Sequence, residues 1–210
     1  MPVAEDIATP FRDALIAGDQ VDAELIALEA VTEGMPLADL YVDVMAPALA
    51  AVGDRWASGD LSVADEHLAT SIVESVMARV GRSATRLPKR SRQRVVMAGV
   101  DLEGHVVGLR MLADLAEGAG FDVRYLGPSV PVDALADLVV RLRPDVVCLS
   151  VSVTTPTSSL TEAIDQLTRR RGLRLLIGGS GVPPQLRDDP RAAYASDVRE
   201  ALAVLERLVD

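Results

Sequence analysis

Apolar residues recur at three- and four-residue spacing along the first part of the chain and gather into short β-branched runs along the rest. The helical spacing predicts four helices. The first covers "AEDIATPFRDALIAG" and ends at Gly18, and the second covers "DAELIALEAVTEG" and ends at Gly34. The third runs through "PLADLYVDVMAPALAAVGDRWASG" to Gly59, and the fourth covers "SVADEHLATSIVESVMARVG". Ser62 suits the N-cap of the fourth, Pro36 suits the first turn of the third, and each closing glycine, Gly81 included, suits a helix end. Four helices joined by short turns predict a small antiparallel four-helix bundle over residues 1–82.

Residues 83–93, within "RSATRLPKRSRQ", are polar, rich in arginine and lysine, and interrupted by proline. They predict a solvated linker. From residue 94 the runs "RVVMAGV", "FDVRYLG", "DVVCLSVSV" and "LRLLIGG" predict strands, with a weaker fifth at "AAYAS". Between them "HVVGLRMLADLAEGAG", "VDALADLVVRLR" and "SSLTEAIDQLTRRR" predict helices, and "SDVREALAVLERLV" closes the chain as another. Strands and helices alternating at this length predict right-handed crossovers and a doubly wound parallel sheet over residues 94–210. The fold class is therefore α/β, a helical bundle followed by a Rossmann-like domain. In such a sheet a ligand sits beyond the carboxyl ends of the strands. That directs attention to the loops "VDLEGHVVG", "SVSVTTPTSS" and "GGSGVPP".

Composition narrows the partners. The 210 residues carry a net charge of −10, with 31 Asp and Glu against 21 Lys and Arg. That balance argues against a broad nucleic-acid surface. No apolar run approaches the roughly 20 residues of a membrane span, and the acidic start lacks the pattern of a signal peptide. The single cysteine, Cys148, lies in an apolar run and reads as a small buried hydrophobe, so a reducing, cytoplasmic setting is expected.

The loops exclude several chemistries. No Gly-x-Gly-x-x-Gly or phosphate-binding Gly-x-x-x-x-Gly-Lys pattern occurs, and no Gly-x-Ser-x-Gly turn presents a nucleophile. What the first loop offers is Glu103, Gly104, His105 and Gly108. One histidine cannot hold a free zinc ion, which needs about four ligands. It can supply a single axial ligand to a metal already held by a macrocycle, its other ring nitrogen held by a carboxylate. The local motif supports equally a histidine bonded to its own helix turn.

Ser150 follows Gly108 at the end of the third strand, and Gly178 and Gly179 end the next. This succession resembles the cobalamin-binding domain of methionine synthases, corrinoid proteins and adenosylcobalamin mutases, with its Asp-x-His-x-x-Gly, Ser-x-Leu and Gly-Gly pattern. Glu103 stands where the family's Asp is usual, and Ser152 where its Leu is usual. The resemblance implies His105 as the lower axial ligand of cobalt and Glu103 on its far ring nitrogen. It implies Ser150 in the relay or at the nucleotide tail, Ser152 in the wall of the tail channel, and Gly178 and Gly179 where the tail passes close to backbone.

The stretch "RWASGDLSVADEHLAT" adds Trp56, the only tryptophan, followed after nine residues by Glu66 and His67. Behind a helical bundle this looks like the signature of the cobalamin photoreceptors, the light-sensing modules of CarH and LitR-type repressors. The resemblance covers essentially the whole chain. It implies Trp56 packed where an adenosyl group sits, Glu66 on its ribose, and His67 in or supporting that pocket. Some family members place a cobalt-capturing histidine directly after the tryptophan, where this chain has Ala57. The photocobilins, also similar, imply a non-covalent bilin such as biliverdin as a second chromophore.

The expectation is an adenosylcobalamin-dependent light sensor, not an enzyme, whose photolysis changes assembly into a homo-oligomer or contact with a protein partner. Because the chain starts at the bundle, without the winged helix of those repressors, no direct nucleic-acid binding is expected, and no membrane. The competing expectations are a corrinoid protein carrying methyl groups for methyltransferases and a light-independent cobalamin-responsive regulator.

Overall fold

The first helix, α1 (Ala4–Ala17), ends on Gly18 in the left-handed conformation, φ 69, whose N–H returns to the carbonyls of Ala14 and Leu15. The structure, a computed structural model, describes residues 3–84, 93–152 and 155–209. It divides into two units, Met1–Arg86 and Leu87–Asp210. In the first, Asp19 caps α2 (Gln20–Thr32) by accepting from the Asp22 N–H.

The predicted third helix is continuous in path but not in type. After α3 (Leu37–Asp39) the segment Leu40–Met45 widens into a π-helix before α4 (Ala46–Ala57). The Ala46 N–H bonds to the Tyr41 carbonyl, five residues back. Pro47 supplies a reason: it has no N–H to give, and its ring would press on the carbonyl four residues earlier in a regular helix. Ser62 caps α5 (Val63–Ala84) as the sequence predicts, its Oγ accepting from the Asp65 N–H while Asp65 accepts from the Ser62 N–H at 2.8 Å. Gly81 does not end this helix. It is buried within it, and the helix runs on to Ala84. Helix α1 packs on α2, α4 and α5, and α5 packs on α2 and α4. Phe11, Leu40, Tyr41, Met45, Ile72, Val76 and Met77 fill the core between them. Of the expected linker, residues 85–92 lie outside the described residues.

The second unit is a five-stranded parallel sheet in the order β2-β1-β3-β4-β5. Its elements are β1 (Arg94–Val100), α6 (Val107–Ala119), β2 (Asp122–Val130), α7 (Val132–Leu142) and β3 (Val146–Ser150). They continue with α8 (Thr157–Leu167), β4 (Arg174–Gly178), α9 (Pro184–Arg187), β5 (Ala193–Ala195) and α10 (Val198–Val209). Alternate residues of each strand serve opposite faces. Val95, Met97, Val146, Cys148 and Leu176 pack with α6 and α10. Val96, Ala98, Val147, Leu149 and Ile177 pack with α7 and α8. Both faces are covered, which is why these strands read as continuous apolar runs. Cys148 is the small buried hydrophobe expected, and burial pushes its thiol up to about 12. The strand order reverses between β1 and β3, so the loops after these two strands border one crevice. No helix among the described residues is long and apolar enough to cross a membrane.

Candidate functional site

Three of the sequence-predicted residues converge at that reversal. Glu103, in the loop after β1, is completely buried. Its Oε1 accepts from the His105 backbone N–H at 2.5 Å. Its Oε2 accepts from Thr155 Oγ1 at 2.5 Å and from the Ser152 N–H, both in the loop after β3. Burial pushes the carboxyl upward, but the bonds from Thr155, His105 and Ser152 outweigh it and hold Glu103 below the ordinary glutamate value. Hydrogen bonds from two loops thereby satisfy a buried carboxylate.

The carboxylate orients an imidazole. His105 is exposed, 64% of its side chain reaching solvent, yet its Nδ1 turns inward. Nδ1 stands 3.3 Å from Glu103 Oε1 and 3.3 Å from Ser152 Oγ. A proton on Nδ1 directed at the carboxylate leaves the lone pair on Nε2, the outward atom. The backbone N–H bonds its own turn, which is one of the two local expectations, and the ring lies beside the next loop.

The hydroxyl beside the imidazole is that of Ser152. Ser150 ends β3 in register with Gly99 and Gly178. Thr155, which sequence reasoning passed over, donates directly to the buried carboxylate. Its only signal was the hydroxyl-rich run "SVTTPTSS", where nothing distinguishes one hydroxyl from another.

The glycines divide into two kinds. Gly179 has φ 113, and a Cβ there would lie 2.1 Å from the Val151 carbonyl oxygen, so the turn after β4 demands glycine. At Gly178 a Cβ would come within 3.3 Å of the Ala195 carbonyl oxygen. Gly104 and Gly108 differ: neither has a positive φ, and a Cβ would meet no protein atom within 4 Å. Open space flanks His105 on both sides in sequence.

The remaining candidates belong to the first unit. Trp56, next to last in α4, is 49% exposed rather than part of the core, as a lone tryptophan usually is. Glu66, in the first turn of α5, accepts from Thr70 Oγ1 at 3.1 Å. His67 is 75% exposed, its Nε2 3.6 Å from Glu66 Oε2.

Among the described residues no group of three or more His, Cys, Asp or Glu side chains converges to hold a metal ion. The donor set around His105 instead suits a metal whose other ligands come with a macrocycle: one outward imidazole nitrogen, a carboxylate behind it, and glycines leaving room for a flat ligand.

The comparisons with known proteins point the same way. A family model described as "B12 binding domain" matches residues 93–205, and another of that description matches residues 7–80. The HTH-type transcriptional repressor CarH of Myxococcus xanthus is 33% identical over 181 residues, covering 82% of this chain and 58% of that protein. The chain thus spans little more than half of that relative. The trimethylamine corrinoid protein of Methanosarcina barkeri is 24% identical over 205 residues, covering 95% of this chain and 94% of that one. The solved monomethylamine corrinoid protein of Methanosarcina barkeri superposes with a TM-score of 0.82 at 18% identity, over 98% of this chain and 100% of that chain. At that identity the likeness is one of fold. None of these relatives points to a bilin, and one named as an HTH-type repressor lends no support to the expected lack of a nucleic-acid partner.

Proposed function

The chain belongs to the B12-binding domain family, and from that membership we propose an adenosylcobalamin-binding light sensor whose photolysis changes its assembly or its contact with a protein partner. The two B12-binding domain matches support binding of a cobalamin. The observation that carries the finer reading is Trp56, 49% exposed at the end of α4 while the other aromatic side chains of its unit, Phe11 and Tyr41, are buried. It suits a bulky organic group better than a methyl group, and Glu66 adds an acceptor for hydroxyls.

When bound, the cofactor supplies a weak cobalt–carbon bond that visible light breaks. The chain's own part is to hold, orient and shelter. Nε2 of His105 would hold the cobalt, and Glu103 would fix the ring through the Nδ1 proton. Ser152 supports that proton from the side, while Thr155 and the Ser152 N–H keep the carboxylate ionised. Trp56, Glu66 and His67 would shelter the adenosyl group. The protein acts in this reading as a sensor rather than a catalyst.

The second reading, a methyl carrier for methyltransferases, is favoured by the nearly end-to-end match to the trimethylamine corrinoid protein. An absorption spectrum with adenosylcobalamin before and after green light, with sizing chromatography alongside, separates them. A spectral change with a change in size supports the sensor. An unchanged spectrum and size in light, with methyl transfer to a thiol from methylcobalamin, transfers the assignment to the carrier.

A further inference from the structure

Strand β2 lies at the edge of the sheet, and its pairing with β1 turns irregular toward its end. Pairing with β1 slips twice, between Met97 and Ala98 and again between Ala98 and Val100, with Ala98 opposite Gly127 and Val100 opposite Val130. The sequence there is "LGPSV". Gly127 takes φ 84, and Pro128 has no N–H to give to a ladder, which an edge strand tolerates. Within this irregular stretch Ser129 takes φ 51, a left-handed conformation uncommon for serine. Bulges of this kind re-aim a residue, often beside a functional site.

Ser129 is re-aimed at the loop that carries Glu103 and His105. Its Oγ accepts from the Leu102 N–H at 3.2 Å, and its own N–H donates to the Glu103 carbonyl at 2.8 Å. Leu102 is itself left-handed, φ 67, with its side chain exposed. A leucine in that conformation persists only where its surroundings over-determine it. Two bonds from one serine, one on each side of the Leu102–Glu103 peptide unit, do so. Gly99 closes the other side, since a Cβ there would come within 2.8 Å of Val106 and 3.2 Å of Glu103.

We propose that Ser129 is a positioning residue for the cobalt-ligating imidazole: it sets the backbone of Leu102 and Glu103, and through the Glu103 carboxylate it selects the tautomer of His105 with its lone pair on Nε2. This rests on the reading of His105 as the lower ligand. The hydrogen bonds of Ser129 go to backbone rather than to the imidazole. Its influence passes through Glu103.

The test uses the full chain. Ser129→Gly removes the hydroxyl but keeps the N–H and accepts a positive φ, so loss of the brace is separated from strain. Ser129→Asn restores an acceptor in a residue at home in the left-handed region. The first readout is the tautomer of His105, from nitrogen–proton correlation spectra of the cofactor-free protein, with His67 as the internal standard. The expected result is that Ser129→Gly shifts His105, but not His67, toward the tautomer protonated on Nε2, and that Ser129→Asn reverses the shift. The second readout is affinity for adenosylcobalamin in the dark, expected to fall roughly tenfold in the glycine variant, the lower end of what a partner behind a metal ligand contributes. An unchanged tautomer in Ser129→Gly overturns the proposal. If the wild-type chain binds no adenosylcobalamin, the ligand reading fails, while the tautomer readout still decides the role of Ser129.

Discussion

The chain's two histidines stand in opposite circumstances. His105 is held at Nδ1 between a buried carboxylate and a hydroxyl, and that carboxylate takes bonds from two loops of the sheet. His67 stands on an exposed helical face, within 3.6 Å of a neighbouring glutamate that is itself engaged by Thr70. Glu103 makes the same contrast with Glu66, the one buried completely and the other reachable by solvent. The lesson is that the second unit commits folding energy to the orientation of one ring. The first unit leaves its candidate groups to be ordered by whatever they meet.

The contrast can be broken first at the carboxylates. Glu103→Ala strips the acceptor from three buried or half-buried donors, and unfolding in urea should show a loss of about 4 kcal/mol, with no detectable corrinoid binding. Glu66→Ala should cost less than about 0.5 kcal/mol. Equal losses would erase the distinction.

A second break lies in the glycines around the same crevice. Gly179→Ala forces a side chain onto the Val151 carbonyl at φ 113 and should cost about 3 kcal/mol in a urea titration. Gly104→Ala meets nothing and should leave stability within about 0.5 kcal/mol, while weakening cobalamin binding measured by absorbance.

Acid sharpens the comparison. Because Glu103 is held below the ordinary value of 4.5 in the folded chain, the carboxyl group binds fewer protons folded than unfolded. Its contribution is complete above about pH 5 and is lost as pH falls through and below that region, at a limit of about 1.4 kcal/mol per unit of displacement. Glu103→Gln should flatten this limb of the stability–pH curve, and His67→Ala should leave it unchanged.

A small stability effect is expected at Trp56 as well. Trp56→Ala should change stability by less than about 1 kcal/mol because the indole is half exposed, whereas Phe11→Ala in the same unit should cost about 3–5 kcal/mol. If Trp56→Ala leaves both adenosylcobalamin affinity and the light response intact, the upper-side assignment of Trp56 falls.

Much of this was legible along the chain. Helical spacing located α1, α2 and α5 with their caps at Gly18 and Ser62, and the apolar runs located all five strands, the short one at residues 193–195 included. Gly81 misled because a glycine ends a helix only where the chain can turn outward, and this one is buried. The π-helical turn escaped because Pro47 reads equally well as an early helical residue. The site was legible in part: Glu103 and His105 are two residues apart, so their relation is local. The choice of Ser152 over Ser150, and the entry of Thr155, were not.

What the sequence by itself determined are the properties that neighbours in the chain decide, which are period, cap, turn and the short Glu103–His105 link. The tertiary structure alone decided which hydroxyls serve that link. Ser152 and Thr155 reach Glu103 across 49 and 52 residues, and Ser129 reaches Leu102 across 27. A parallel sheet brings such distant loops to one edge, and the residue that arrives there is set by strand register and by the bulge in β2, which no local pattern of polar and apolar positions encodes.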